Sequence, residues 1–382
     1  MGTLERDPRK YKDFEFNLRE LAGSMGDFGT LFPLAVGLIA VCGMDATSLF
    51  VMIGLTNIVT GLVYRLPMPV EPKKVVSVAA IAQGWTASMV AASGLGLGLV
   101  WFVIVLTGAL RKVIEVTPIY LIRGIQLALG VTLAWQAVRM ISPEPWWGLV
   151  AVAIILLLRK SRYAPAAVVI MGLGVALMAW RGDLMQHLSF GFTLPRFSVP
   201  RWSDVWQAMV LAGFAQIPLT LTNAVLATAA MIRELFPEKP VSENKLMLNM
   251  GVMNVASSFF GGMPMCHGSG GLAGQYYFGA RTGGTNILEG MIEISLGVFL
   301  GRSLDGLLGA FPMALIGGMM LMVGVEFVRP IIRLREWPLY LALVTTVVSV
   351  VTNMAVGFVV GLACMYLVRW LMRRGVLKGN LP

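Results

Sequence analysis

Between Gly261 and Gly284 the chain reads GGMPMCHGSGGLAGQYYFGARTGG. Pro264 interrupts any helix there, Gly268, Gly270 and Gly271 leave the backbone bare, and His267 and Ser269 add side-chain donors. Glycine lets a ligand approach main-chain N–H groups without a Cβ in the way. A helix that starts after Pro264 presents unpaired amides and the positive end of its dipole. That combination suits a small anion. About 195 residues earlier, Leu66-Pro67-Met68-Pro69-Val70-Glu71-Pro72-Lys73-Lys74 repeats the Met-Pro-apolar step of Met263-Pro264-Met265. Pro72 suits a first helical position, where its missing N–H costs nothing. Lys73 and Lys74 then stand at a helix N-terminus, whose dipole repels a cation, so an anion or Glu71 must be close. Which of the two lysines faces the site is open, and a shallower path would leave both solvated at the inner surface.

Gln216, Thr220 and Asn223 follow one another at spacings of four and three, which puts them on one helical face. They are ligands for the same anion or polar contacts between helices. Asp27 and Thr30 in GDFGTLFP are a further pair. A carboxylate in an apolar segment is a functional candidate, so Asp27 pairs with a lysine or carries a proton. Glu71 and Glu289, with Glu293 on the same face as Glu289, are candidates for the proton role. Cys266-His267 lacks the three or four ligands that a metal needs, and no metal or cofactor is expected. Gly268-Ser269-Gly270 beside His267 resembles a hydrolase nucleophile. A base only two residues away is badly placed to activate the serine, so an enzyme is not expected.

These residues need an unusual scaffold. Of 382 residues, 57% are hydrophobic and 13% charged, about half the charged share of a soluble domain. The mean hydropathy is +0.76. The first 20 residues are polar, with no apolar stretch of a signal peptide behind them. Three scattered cysteines give no disulfide framework. Apolar runs, read against the roughly 20 residues that cross a bilayer, fall near 21–41, 46–65, 70–92, 95–115, 117–138, 146–158, 164–181, 204–232, 244–260, 264–280, 285–302, 306–328, 337–352 and 354–372. The expected chain is therefore an all-α membrane protein of fourteen segments. Residues 1–20 form a cytoplasmic segment, 21–181 and 204–372 two seven-span halves, 182–203 an extracytoplasmic linker and 373–382 a cytoplasmic tail.

The net charge of +10 does not call for nucleic acid. With the N-terminus inside, the inner connections take 22 of the 30 basic residues, and the outer ones take five: Arg139, Arg181, Arg196, Arg201 and Arg302. This is the positive-inside pattern of a multi-pass protein of the cytoplasmic membrane with both termini inside. Arg123, near an inner connection, is expected to snorkel. Segments three and ten each begin with a Pro-containing extended piece and continue as a half-helix. Backbone of that kind at membrane depth must be buried in protein or line a cavity. Entering from opposite sides, the two half-helices would face each other with their N-termini across a midplane site, as in transporters built from inverted repeats.

GDFGTLFPLAVGL, PMPVEPKK, AQIPLTLTNAVLAT and MPMCHGSGGLAGQYYFGARTGG together resemble the molybdate transporter family, a branch of the sulfate permease superfamily. The resemblance runs from about Leu21 to Val328. It implies seven plus seven spans in inverted repeats, with segments 1–4 and 8–11 as a core that moves against a gate of 5–7 and 12–14. It also implies a tetrahedral oxyanion held between segments three and ten. Lys74 matches the family lysine, whereas Glu71 and Lys73 depart from the eukaryotic Pro-Val-Gln-Pro-Met-Lys. The expected function is secondary transport of molybdate by alternating access. Sulfate or tungstate transport, nucleobase–proton symport and passive anion conduction are the alternatives. The nucleobase reading lacks its carboxylates, since Gln216 and Cys266-His267 stand at those places. Expected partners are the oxyanion, protons as a candidate coupling ion, membrane lipid and, as an open option, a second copy of the chain.

Overall fold

The computed structural model describes residues 12–116, 118–158, 166–374 and 376–377. Arg6, Arg9, Lys10, Arg159, Lys160, Arg162 and Lys378, all assigned to inner connections, lie outside the described residues. In chain order the helices are α1 (Leu18–Cys42), α2 (Ala46–Tyr64), α3 (Lys74–Gln83), α4 (Ala87–Thr107), α5 (Leu110–Val116), α6 (Ile119–Ile141), α7 (Pro145–Leu158), α8 (Ala166–Arg181), α9 (Asp183–His187), α10 (Trp202–Leu235), α11 (Glu243–Ser258), α12 (Ser269–Phe278), α13 (Gly284–Ala310), α14 (Met313–Val328), α15 (Glu336–Val351) and α16 (Met354–Arg373). The strands β1 (Glu71–Pro72) and β2 (Met265–Cys266) precede α3 and α12. Among the described residues, seven helices are long and apolar enough to cross a membrane. Pro145–Leu158, Ala166–Arg181, Glu336–Val351 and Lys74–Gln83 are shorter apolar helices.

Several helix boundaries differ from the sequence expectation. Gly84 adopts a left-handed conformation and ends α3, and Thr86 caps α4 by accepting from Met89 N. The third segment thus stops well short of 92 and the fourth begins at Ala87, not near 95. Likewise α13 runs on to Ala310, past the expected end at 302, and Pro312 precedes α14. Hydropathy alone could not find these ends: the first is set by Gly84 and the Thr86 cap, and α13 continues through the polar Arg302 and Ser303, where an apolar run stops.

The packing is close and relies on small residues. α2 lies along α13, and a methyl group built on Gly54 would lie 2.7 Å from Gly290 O. Two backbones that near each other gain dispersion contacts that apolar lipid cannot match. α6 packs on α14 and α15, and α4 on α11.

Two extended arms thread this helical mass. β1 and β2 pair antiparallel, Glu71 opposite Cys266 and Pro72 opposite Met265, and Lys73 N donates to Pro264 O at 2.8 Å. Buried extended backbone needs partners for each N–H and C=O, and two asparagines supply them. Asn286 of α13 accepts from Met68 N at 2.9 Å and donates to Met68 O at 2.6 Å. Asn254 of α11 accepts from Met265 N at 2.8 Å and donates to Met265 O at 2.7 Å. An amide side chain offers one acceptor and two donor hydrogens, so a single residue can satisfy both groups of a peptide.

The long linker is fastened to the second half. Gly191 N donates to Phe299 O at 3.1 Å, Thr193 N to Val298 O at 2.9 Å and Ser198 N to Phe259 O at 2.8 Å. Arg196, Arg201 and Arg302, all assigned to the outer face, line one open cavity of about 1320 Å³ together with Asp45, Ser48 and Thr86. Arg65 and Lys239, assigned to the inner face, meet elsewhere on Asp13, at 2.9 and 3.0 Å. Their charges hold the Asp13 carboxyl below its ordinary range, chiefly through the Lys239 hydrogen bond.

Candidate anion-binding site

The N-terminus of α3 is already occupied. Its first intrahelical bond is Ser77 N to Lys73 O, so the amides of Lys74, Val75 and Val76 have no partner within the helix. Gln216 Oε1 of α10 accepts from Val75 N at 2.8 Å and from Val76 N at 3.4 Å, and Gln216 Nε2 donates to Thr220 Oγ1 at 2.9 Å. Gln216 and Thr220, expected as ligands, therefore serve as a cap held by its neighbour. Both are about 1% exposed.

The N-terminus of α12 is open. Its first bond is Leu272 N to Gly268 O, and the amides of Ser269, Gly270 and Gly271 have no acceptor among the described residues. Nothing lies within 4 Å of the place a Cβ on Gly270 would take. The equivalent places at its neighbours are filled. A methyl group on Gly268 would lie 2.7 Å from Glu71 Oε2, and one on Gly271 would run into Glu71 Oε1 and lie 2.8 Å from Pro69 Cβ. Ser269 Oγ donates to Asn223 Oδ1 at 2.8 Å.

The two lysines diverge. Lys74 Nζ lies 2.9 Å from Glu71 Oε2 and lines a cavity of about 160 Å³ with Thr30, Leu219 and Asn223. Gln126 of α6 and Val323, Glu326 and Phe327 of α14 close its other side. That is far more than the ~10–15 Å³ one water requires. Lys73 is fully buried, its Nζ 5.4 Å from the centre of the Trp101 ring and without a hydrogen-bond partner among the described residues. The expected alternatives for Lys73, pairing with Glu71 or reaching the inner surface, are not taken. Backbone direction decides this: at the strand-to-helix turn successive side chains part, and only one meets the cavity.

His267 is displaced from its expected role. It is fully buried, with Nδ1 3.0 Å from Pro69 O and Nε2 3.0 Å from Asn249 Oδ1, and its ring stands edge-on to Tyr64. It bolts the second arm to the first. It neither lines the cavity nor bonds Ser269, so the anion-donor and nucleophile-base readings both lose their geometry. Asp27 also lies outside the cavity. Gln275 Nε2 donates to Asp27 Oδ2 at 3.4 Å and to Glu289 Oε2 at 3.2 Å, while Asn57 donates to Glu293 Oε2 at 2.8 Å. These three buried carboxyl groups have no ion pair among the described residues. Arg123, half-buried, donates to Gln126 Oε1 at 2.8 Å, beside the cavity. Among the described residues no group of three or more His, Cys, Asp or Glu could hold a metal ion.

Comparison with known proteins bears on this geometry. The family model described as "Molybdate transporter of MFS superfamily" matches residues 19–133 and 208–327. Molybdate transporter 1 of Arabidopsis thaliana is 33% identical, over 97% of this chain and 92% of its own length. The chain belongs to the molybdate transporter family. Molybdate transporter 2 of Arabidopsis thaliana is 31% identical over 80% of this chain and 77% of its own. Molybdate transporter 1 of Chlamydomonas reinhardtii is 29% identical over 90% of both. Among solved structures, the transmembrane domain of the cyanobacterial bicarbonate transporter BicA superposes with a TM-score of 0.67 at 16% identity, over 89% of this chain and 97% of its own. Murine Solute Carrier 26 family member A9 gives 0.71 at 15%, over 95% and 70%. The fold is thus that of these carriers, despite the superfamily in the family's printed description. The relatives are transporters, not enzymes, and the chain is a multi-pass membrane protein.

Of the residues expected at a site in this molybdate transporter family member, Thr30, Lys74 and Asn223 line the cavity, and Ser269 reaches it through Asn223. Sequence reasoning missed Gln126, Glu326 and Phe327. Glu326 carried a readable signal, a carboxylate within an apolar segment, and Gln126 a weaker one, an amide in an apolar helix, whereas Phe327 carried none. It also missed Asn254 and Asn286, whose amides in apolar helices were the sign of a buried polar partner.

Proposed function

We propose that the chain is a secondary transporter that moves molybdate across the cytoplasmic membrane by alternating access. The observation that carries this reading is the composition of the 160 Å³ cavity. Thr30, Lys74, Leu219 and Asn223 come from α1, α3 and α10, which the fourteen-segment, two-repeat reading assigns to a core. Gln126, Val323, Glu326 and Phe327 come from α6 and α14, assigned to a gate. A ligand at such a junction is exposed to one side or the other as the two bodies shift. Lys74 supplies a full charge, the first turn of α12 a partial one, and Thr30 and Asn223 supply hydrogen bonds. The relatives' printed names support molybdate as the oxyanion.

In this reading both termini are cytoplasmic and the linker is extracytoplasmic. Asp27, Glu71 and Glu289 are the proton-coupling candidates: a buried carboxylate without an ion pair, as Asp27 and Glu289 are, is costly, Glu71 would become one if Lys74 were taken from it, and a proton is the smallest group that removes the charge. The test is equilibrium binding of molybdate, tungstate, sulfate and uracil to the purified protein, measured side by side. Molybdate is expected to bind more tightly than sulfate, with no uracil binding. Equal binding of the two, or a preference for sulfate, overturns the assignment, and uracil binding replaces it with the nucleobase reading.

A further inference from the structure

The open N-terminus of α12 is not vacant ground. Glu71 enters from the other arm, 1% exposed, and lays its carboxylate against the first turn of α12, where Gly268 and Gly271 have no side chain to hold it off. Oε2 also meets Lys74 Nζ at 2.9 Å. Apart from that ion pair, neither carboxylate oxygen has a hydrogen-bond partner among the described residues. Glu71 is therefore held by charge alone, on one lysine and one helix terminus. Lys74 lines the cavity, and the first turn of α12 is joined to it through the Ser269–Asn223 hydrogen bond, so an oxyanion held there would draw on the same two positive groups.

We propose that Glu71 is a built-in competitor for the anion: in the empty protein it occupies Lys74 and the first turn of α12, and the oxyanion loads by displacing it. The inference rests on the anion-transporter reading and deepens it. Two negative groups on one lysine repel each other strongly in a poorly screened cavity. The incoming dianion has more charge and more acceptor oxygens than a carboxylate, so it can take the lysine. The surroundings also oppose Glu71 once Lys74 is lost. Asp27 and Glu289 lie within its electrostatic reach and add negative charge, and Lys73 makes no ion pair with it among the described residues. A resident carboxylate keeps Lys74 neutralised while no substrate is bound, and it weakens binding by the cost of its own release. Its neutral isostere would not compete.

The experiment is equilibrium binding of molybdate to the purified, full-length protein and to Glu71→Gln, with thermal unfolding as a control for folding. Displacement predicts that Glu71→Gln binds molybdate about 10-fold more tightly, since ~1.4 kcal/mol is a factor of ten. A folded Glu71→Gln that binds with the parent's affinity, or more weakly, overturns the proposal. If Glu71→Gln fails to fold, Glu71→Ala gives the same comparison. Lys74→Gln and the double variant Lys74→Gln/Glu71→Gln provide an independent reading. The double variant should bind better than Lys74→Gln alone, because Lys74→Gln leaves an unpaired carboxylate in the anion's place. Equal binding of these two overturns displacement as well. A parent protein that binds no molybdate at all refutes the transporter reading itself, which is a separate outcome.

Discussion

At the scale of single residues, burial and direction decide function more than residue type does. Lys73 and Lys74 are chemically identical neighbours, yet only Lys74 meets the cavity. Lys74→Gln should weaken molybdate binding by about tenfold or more, given ~1.4 kcal/mol per factor of ten, as equilibrium titration would register. Lys73→Met should bind molybdate nearly as well as the parent. It should also unfold at a higher temperature, because it removes a buried amine that lacks a hydrogen bond and keeps most of the packing against Trp101. A Lys73→Met protein that no longer binds would mean the buried lysine acts on the anion. The glycines separate in the same way. Gly270→Val projects into open space at the first turn and should abolish binding in a folded protein, whereas Gly271→Val meets Pro69 and Glu71 and should destabilise the fold, both readable by titration with a melting curve. Motif chemistry marked the lysine pair, Thr30, Asn223 and the glycines as groups able to hold an anion, but it left open which lysine meets the cavity. It could not show that Gln216 and His267 each spend a polar atom on backbone and the other on a neighbouring side chain, since that depends on which neighbour presents a free partner.

At the scale of elements, the arms were readable and their fastening was not. Prolines at 67, 69, 72 and 264 forbid continuous helix, which is why strand followed by short helix could be expected at both places. The ladder register and the asparagine clamps come from partners 218 and 11 positions away in sequence, and no local pattern encodes such pairings. Asn286→Ala and Asn254→Ala each leave a buried peptide N–H and C=O unsatisfied, at a cost of about 1–3 kcal/mol per group. Both variants should melt several degrees lower and bind molybdate more weakly, although neither asparagine lines the cavity. Unchanged melting for both would show that the arms are held by the ladder alone.

At the scale of the whole molecule, composition and charge placement foretold a multi-pass protein; against the fourteen segments that hydropathy suggested, seven helices among the described residues are long and apolar enough to span, and helix ends such as Gly84 and Ala310 escaped it. What it could not foretell is the convergence of Arg196, Arg201 and Arg302 on one cavity, which depends on where the linker is pinned. Those three have no ion pair among the described residues, and on the proposed topology they would draw anions to the outer face. Arg196→Gln/Arg201→Gln/Arg302→Gln should therefore slow molybdate association in stopped-flow at low salt. The difference from the parent should vanish at about 1 M salt, where screening acts within ~3 Å. An association rate equal to the parent's at low salt would assign these arginines to lipid headgroups or to topology alone.

The two-rung ladder between β1 and β2 also has a consequence for biosynthesis. Glu71 and its partner Cys266 leave the ribosome far apart in time: at about 5–20 residues per second, the first arm waits roughly 10–40 s for the second. Through that interval Met68 has neither Asn286 nor a neighbouring strand, and its backbone cannot rest in lipid unpaired. The first arm must stay at the aqueous surface, or with the insertion machinery, until the second half is made. A ribosome-bound chain that ends before residue 260 and carries M68C in a background without Cys42 should therefore react with a water-soluble maleimide. The full-length M68C protein, with Cys42, Cys266 and Cys364 removed, should be protected.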